Sequence, residues 1–275
     1  MSRLLAVAIL LLISSFGVRG EAAAQEAPPM LSQCQAIAQS IPQVWFASFG
    51  ADQAVPATSE GGQVVITFLG HSTFLIETPG GVSIATDYNG WYGPPTPPTV
   101  VTMNKAHITH FTLTPDSAIA HVLRGWGDDG EPADHNLVVD DVFIRNVTTD
   151  IRAGGGMEHD ANSIFIFEVA GLCIGHLGHL HHELDASHYA AIGRLDVLMV
   201  PVDGGLTMGA DSMSRVVKQL RSSLILPMHR RGPPIDAFLA LFDHGFDREI
   251  ASDSSITGSL SNLPKRPLIY VLKGV

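Results

Sequence analysis

Thr102-Met-Asn-Lys-Ala-His-Ile-Thr-His110 follows an apolar extended run ending at Val100-Val101 and sets His107 and His110 three residues apart, with Lys105 just upstream. A strand gives way here to a loop or a helix start, and two imidazoles at that spacing can share one metal ion. With 13 histidines in 275 residues, a single pair of this kind arises by chance. Its weight comes from its company: His159, the cluster His176-Leu-Gly-His179-Leu-His-His182, and Pro227-Met-His229, each beside an expected strand.

Outward from that stretch, the chain splits into a leader and a body. Residues 1–24 read as a secretory signal: Arg3 in a short basic start, the apolar run Leu4 to Ile13, then small residues ending in Ala22-Ala-Ala24. The expectation is a cleaved, periplasmic or secreted protein. No later run approaches the roughly 18 apolar residues of a membrane span. Residues 25–62 form an N-terminal leader and helix, and 63–275 the main domain, whose 45% hydrophobic content suffices for a proper core. Losing Arg3, Arg19 and Glu21 with the signal takes the net charge from −11 to −12. That balance argues against nucleic acid and anionic membrane as partners, but leaves room for a small anionic substrate in a locally positive pocket. Cys34 and Cys173 are the only cysteines. They can pair in an oxidising compartment, or Cys173 can serve as a small buried hydrophobe within Gly171-Leu-Cys-Ile174; both readings are open.

Leu31, Cys34, Ile37 and Ile41 share a helical face that Pro42 ends. Residues 48–62 read as a loop. Strands are expected at Val64–Leu69, Thr73–Glu77 and Val82–Thr86, a meander with Pro79-Gly80-Gly81 as its tight turn. Ser117–Leu123 reads as a possible helix, Leu137–Val147 as extended, and Ser163–Val169 with Leu172–Ile174 as a hairpin around Ala170-Gly171. Helices and strands then alternate: Asp185 caps a helix to about Ile192, Val197–Val200 and Leu224–Leu226 are strands, and Met213, Val216, Val217 and Leu220 form a helical stripe. A further stripe follows Pro233-Pro234, and Leu268–Leu272 closes the chain as a strand. A meander followed by α/β alternation implies mixed sheets with helices outside.

Phe68-Leu-Gly-His-Ser-Thr-Phe-Leu-Ile-Glu77, with Asp87 ten residues on, resembles the opening of the metallo-β-lactamase superfamily, in particular its branch similar to L-ascorbate-6-phosphate lactonase. The resemblance implies an α/β four-layer αβ/βα sandwich with a metal site at the sandwich edge. The family motif HxHxDH falls on Lys105-Ala-His-Ile-Thr-His110, a later landmark on His159-Asp-Ala-Asn-Ser163, the metal-bridging Gly-Asp on Gly178-His179, and the last histidine on Pro227-Met-His229. Relative to that pattern the first histidine has become Lys105, the motif aspartate Thr109 and the bridging aspartate His179. Two divalent ions held roughly 3.5–4 Å apart normally need anionic bridges to offset their repulsion. Without those carboxylates one ion is expected, Zn²⁺ above other divalent metals, on a set drawn from His107, His110, His159, His179 and His229.

Such a centre can acidify a bound water, so the resemblance implies a hydrolase acting on a small ester, lactone or phosphoester, with His107 at the ion and Lys105 holding a substrate anion or the developing oxyanion. The alternative is a catalytically inactive relative that binds a small anion or a metal ion. His71 reads as structural, turning the Gly70-His71 corner beneath the site. Asp87 either orients a ligand histidine or makes an Asx turn, and Asp203-Gly-Gly205 either lines the pocket or only turns the chain.

Overall fold

Period-two burial dominates the first part of the domain. Strand β1 (Val64–Gly70) buries Val64, Ile66 and Phe68 on one face and turns at Gly70-His71 into β2 (Thr73–Glu77). The structure, a computed structural model, describes residues 32–38 and 62–275. The signal at 1–24, the leader from Gln25 to Pro29 and nearly all of the 48–62 loop lie outside them. Short β3 (Ser83–Ala85) completes the expected meander, and β4 (Val100–Met103) pairs with it in parallel.

Beside β4, also in parallel, lies β5 (His121–Arg124). The helix expected over Ser117–Leu123 is therefore not formed. Asp116 Oδ1 accepts from the backbone N–H of Ala118 and its carbonyl from Ile119, a tight turn that sends His121-Val-Leu-Arg124 to the open edge of β4. The extended run after Leu137 is a hairpin, β6 (Asn136–Val139) and β7 (Val142–Ala153), turned at Asp140-Asp141. Strand β8 (Gly156–Val169) pairs antiparallel with β7 and with β9 (Leu172–His176). Parallel strands β10 (Val197–Pro201) and β11 (Leu224–Met228) continue that sheet. Two strands absent from the sequence reading, β12 (Asp247–Ile250) and β13 (Ser255–Gly258), precede the closing β14 (Leu268–Val271).

The strands form two sheets, ordered β13-β1-β2-β3-β4-β5 and β12-β14-β11-β10-β9-β8-β7-β6. Val64, Ile66, Phe74 and Ile84 from the first and Phe165, Phe167, Ile174 and Leu226 from the second are buried together, so the sheets pack face to face. The other face of the second sheet is covered by α1 (Gln33–Ala38) through Cys34, α2 (Ala186–Ile192) through Ile192, α3 (Ala210–Leu220) through Met213, Val216 and Val217, and α4 (Ile235–Leu239) through Phe238 and Leu239. On the first sheet's outer face, Ala85, Val101 and Met103 are covered by Ile119, Tyr88, Phe111 and Trp126, from irregular chain. This is the expected mixed α/β sandwich of two packed sheets, with its described helices on the second sheet.

Cys34 and Cys173 are disulfide-bonded, which ties α1 to β9 across 139 residues. Glu168 reinforces the junction by accepting from Ser32 Oγ and the backbone N–H of Gln33 while paired with buried Arg145.

Candidate metal centre

Strands β4, β9, β10 and β11 all deliver their carboxyl ends to one edge of the sandwich, and the histidines follow those ends. His107 and His110 lie after β4, His179 after β9 and His229 after β11, while His71 reaches the same edge from the turn between β1 and β2. The crevice outside the carboxyl ends of parallel strands is the usual place for a ligand in α/β sheets.

Ligand-capable nitrogens of His71, His107, His110 and His229 all lie within 4.8 Å of one another. The ring of His71 is 4.1 Å from that of His229 and 5.1 Å from that of His110. His71 is thus part of the cluster and not merely the corner beneath it. Its left-handed backbone, φ 54°, swings the ring inward after Gly70, and its carbonyl accepts from the backbone N–H of His229 at 2.6 Å. Asp87 at φ 43° and His229 at φ 53° share that conformation.

Two carboxylates set the geometry. His110 Nδ1 lies 2.6 Å from Asp87 Oδ2, and His229 Nδ1 lies 2.8 Å from Asp203 Oδ2, all four side chains being buried. Although burial alone would raise both acids, neighbouring His110 first and then a hydrogen bond from Asn104 hold Asp87, and hydrogen bonds from His229, Thr207 and the Gly205 backbone hold Asp203, below the usual carboxylate range. Ionised carboxylates only accept, so each imidazole carries its proton on Nδ1 and turns an Nε2 lone pair into the site. Asn104 Nδ2 donates to Asp87 Oδ1. The backbone N–H groups of Gly205, Leu206 and Thr207 converge on Asp203 Oδ1, so the Asp203-Gly-Gly segment is an anchor for His229 as well as a turn.

The Nε2 atoms of His110 and His229 are buried and have no hydrogen-bond partner among the described residues. Two desolvated lone pairs left unpaired a few ångströms apart are expensive unless something binds them. Neutral imidazoles backed by carboxylates are the donor set a divalent ion takes. Burial first, and then the neighbouring imidazoles, lower His71 to about 3 and His107 to about 4, which keeps both free to ligate at neutral pH.

Around this core, Thr109 Oγ1 lies 2.6 Å from His107 Nδ1 and 2.9 Å from His71 Nε2. His179 Nε2 lies 3.1 Å from His107 Nε2. His176 is a structural group, bonded to the Ser72 carbonyl. His159 and Lys105 stand apart from the cluster. His159 sits on the projecting end of the β7–β8 hairpin, 79% exposed, with Nδ1 2.9 Å from Asp150 Oδ2. Lys105 pairs with Glu158, and both line a cleft of about 350 Å³ with His159, Trp126 and Asp160, but with none of the clustered imidazoles. His71 reads from the sequence as a corner and Asp203 as either pocket lining or turn, so neither shows its role at the centre. Their one signal is position, a polar residue directly beside a strand that ends at the same edge.

A β-lactamase superfamily domain matches residues 65–229, more than half the chain and all of the centre. The chain belongs to this superfamily. A UPF0173 metal-dependent hydrolase of Pyrococcus abyssi is 32% identical over 102 residues, which cover 36% of this chain and 45% of the relative, so the match spans less than half of that relative's length. A solved Thermotoga maritima structure, assigned as a Zn-dependent hydrolase of the metallo-β-lactamase superfamily, is 29% identical, with a TM-score of 0.55 over 76% of this chain and 98% of that one. A Parabacteroides distasonis structure, assigned as a metal-dependent hydrolase, shares the fold at 16% identity, with a TM-score of 0.53 over 66% of this chain and 89% of that one.

Proposed function

We propose that this protein is an exported hydrolase that uses one divalent ion, Zn²⁺, held by His71, His107, His110 and His229, and acts on a small ester, lactone or phosphoester. The observation that carries this reading is the pair of buried, unpartnered Nε2 atoms of His110 and His229, each imidazole backed by a carboxylate. When bound, the ion supplies Lewis acidity and a water acidified toward neutrality. Asp87 and Asp203 hold the two rings in the tautomer that can ligate, and Thr109 orients His107 and His71. The names of the Pyrococcus and Thermotoga relatives support the same chemistry.

The surroundings suggest the substrate. Trp91, Ile108 and Leu206, 67%, 63% and 51% exposed, stand on the three loops that carry or brace the imidazoles. Arg230 and Arg231, exposed directly after His229, form no ion pair among the described residues, whereas Lys105 is paired with Glu158. An apolar rim with two unpaired guanidinium groups suits a small substrate with an apolar body and an anionic group. Export fits the leader and the Cys34–Cys173 disulfide, since such bonds persist in oxidising compartments.

The test is metal content by mass spectrometry on protein purified without a metal-affinity tag, beside a His107→Ala/His110→Ala double variant, with hydrolysis of 4-nitrophenyl acetate followed before and after chelation. About one zinc per chain, lost in the double variant, and chelator-sensitive turnover are expected. Protein that takes up no added zinc refutes the reading. Zinc bound without turnover of any ester, lactone or phosphoester favours a binding protein.

A further inference from the structure

A backbone amide gives the outer imidazoles a direction. The N–H of Arg152, in β7, donates to His181 Nδ1 at 2.5 Å. A neutral imidazole carries one proton, so His181 holds it on Nε2, 2.7 Å from His179 Nδ1, which must accept. The proton of His179 is thereby placed on its own Nε2, the atom 3.1 Å from His107 Nε2. His107 accepts there and donates from Nδ1 to Thr109 Oγ1, an oxygen that can also accept from His71 Nε2 and so leave the His71 Nδ1 lone pair free to ligate. An amide cannot reverse its polarity, so the relay from Arg152 to Thr109 is oriented from its Arg152 end.

His181 is itself held in place. The Arg152 guanidinium binds the carbonyls of Gly205, Leu206 and Thr207, and neighbouring His182 accepts from the backbone N–H of Asp150. The two rings thus clasp β7 beside its register shift at Thr149/Ile151.

An N–H cannot ligate a metal, and His179 has no free lone pair on the atom that faces the cluster. Its ring centroid lies 4.8 Å from that of His107, 4.7 Å from that of His110 and 4.8 Å from that of His229. Were His107 to give its Nε2 lone pair to a bound ion, the His179 N–H would be left without an acceptor among the imidazoles. We propose that His179 is not a metal ligand but a hydrogen-bond donor to the substrate oxygen at this centre, with His181 the positioning residue that keeps the His179 proton on Nε2. The substrate's part in this rests on the hydrolase reading, whereas the tautomer and the ligand set do not.

The deciding experiment is long-range ¹H–¹⁵N correlation on histidine-labelled, zinc-loaded wild-type protein, which reports the protonated nitrogen of each ring. It is paired with zinc content and 4-nitrophenyl acetate kinetics for His179→Ala, His181→Ala and His181→Gln. The expected result is His179 protonated on Nε2, one zinc retained in all three variants, and kcat about 100-fold lower in His179→Ala with KM little changed, as for loss of one oxyanion donor. His181→Ala falls similarly, and His181→Gln, whose amide can still donate to His179 Nδ1, recovers most of that loss. A proton on Nδ1 of His179, loss of zinc in His179→Ala, or unchanged kcat overturns the proposal while leaving the hydrolase reading intact. A wild-type protein that binds zinc but cleaves no ester overturns the hydrolase reading and, with it, the substrate role of His179.

Discussion

Replacing Asp203 by asparagine tests the centre through one atom. Asp203 Oδ1 accepts the three backbone N–H groups of Gly205, Leu206 and Thr207, while Oδ2 takes Thr207 Oγ1 at 2.7 Å and His229 Nδ1 at 2.8 Å. Asparagine keeps an oxygen for the amides but presents an NH₂ to His229. The imidazole then does best as an acceptor on Nδ1, which moves its proton to Nε2, into the site, where it blocks ligation. Loss of such an outer partner typically costs a factor of 10–100 in metal affinity, about 1.4–2.8 kcal/mol. Fold stability falls less than in Asp203→Ala, which strips partners from a buried network and costs roughly 3–5 kcal/mol. The assays are zinc competition against a chromophoric chelator and urea unfolding of the metal-free protein. Zinc affinity in Asp203→Asn within threefold of wild type would refute the claim that this carboxylate sets the ligating tautomer.

Other perturbations separate the parts. Opening the Cys34–Cys173 link with reductant, or replacing both cysteines by serine, should lower unfolding free energy by up to about 5 kcal/mol on loop entropy alone; an unchanged urea midpoint would count against α1 being anchored to β9. Lowered values of about 3 for His71 and about 4 for His107 and His181 mean that the unfolded chain binds more protons than the folded one below pH 6.5. Metal-free stability is therefore fully present above pH 6.5 and declines as pH falls toward 4, which urea titrations across that window will measure. Lys105→Ala removes an exposed ion pair and should change stability by less than about 1 kcal/mol with zinc uptake intact. An Arg230→Ala/Arg231→Ala variant should raise KM for an anionic aryl ester about tenfold while leaving that for a neutral one unchanged; equal effects on both would remove the anion role.

Most strands were legible because burial imposes period two or continuous apolar runs, as in Val64–Gly70 and Val197–Pro201. Asp185 announced α2 because a capping carboxylate is a local signal, and it accepts from the backbone N–H groups of Ser187 and His188. Strands β12 and β13 left no such mark. Both lie at sheet edges, and all four residues of Asp247–Ile250 are exposed. At the centre, His107, His110 and His229 could be read from their places beside strands. The inward turn of His71 depends on a left-handed backbone that no spacing reveals. His159 stands apart from the cluster because the hairpin with the glycine-rich turn before it carries the ring into solvent.

The left-handed backbones of His71, Asp87 and His229 oppose stability to use. Each non-glycine residue in that region costs on the order of 1 kcal/mol or more. Glycine would relieve the strain at all three positions while deleting two imidazoles and the carboxylate behind a third. A library of this protein screened for heat resistance without metal should therefore drift toward glycine at these positions and lose zinc as it gains stability. Screening with zinc present reverses that pressure, because bound ion rewards the strained form by mass action. Stabilised versions should thus be selected in the metal-loaded state, with these three positions held constant.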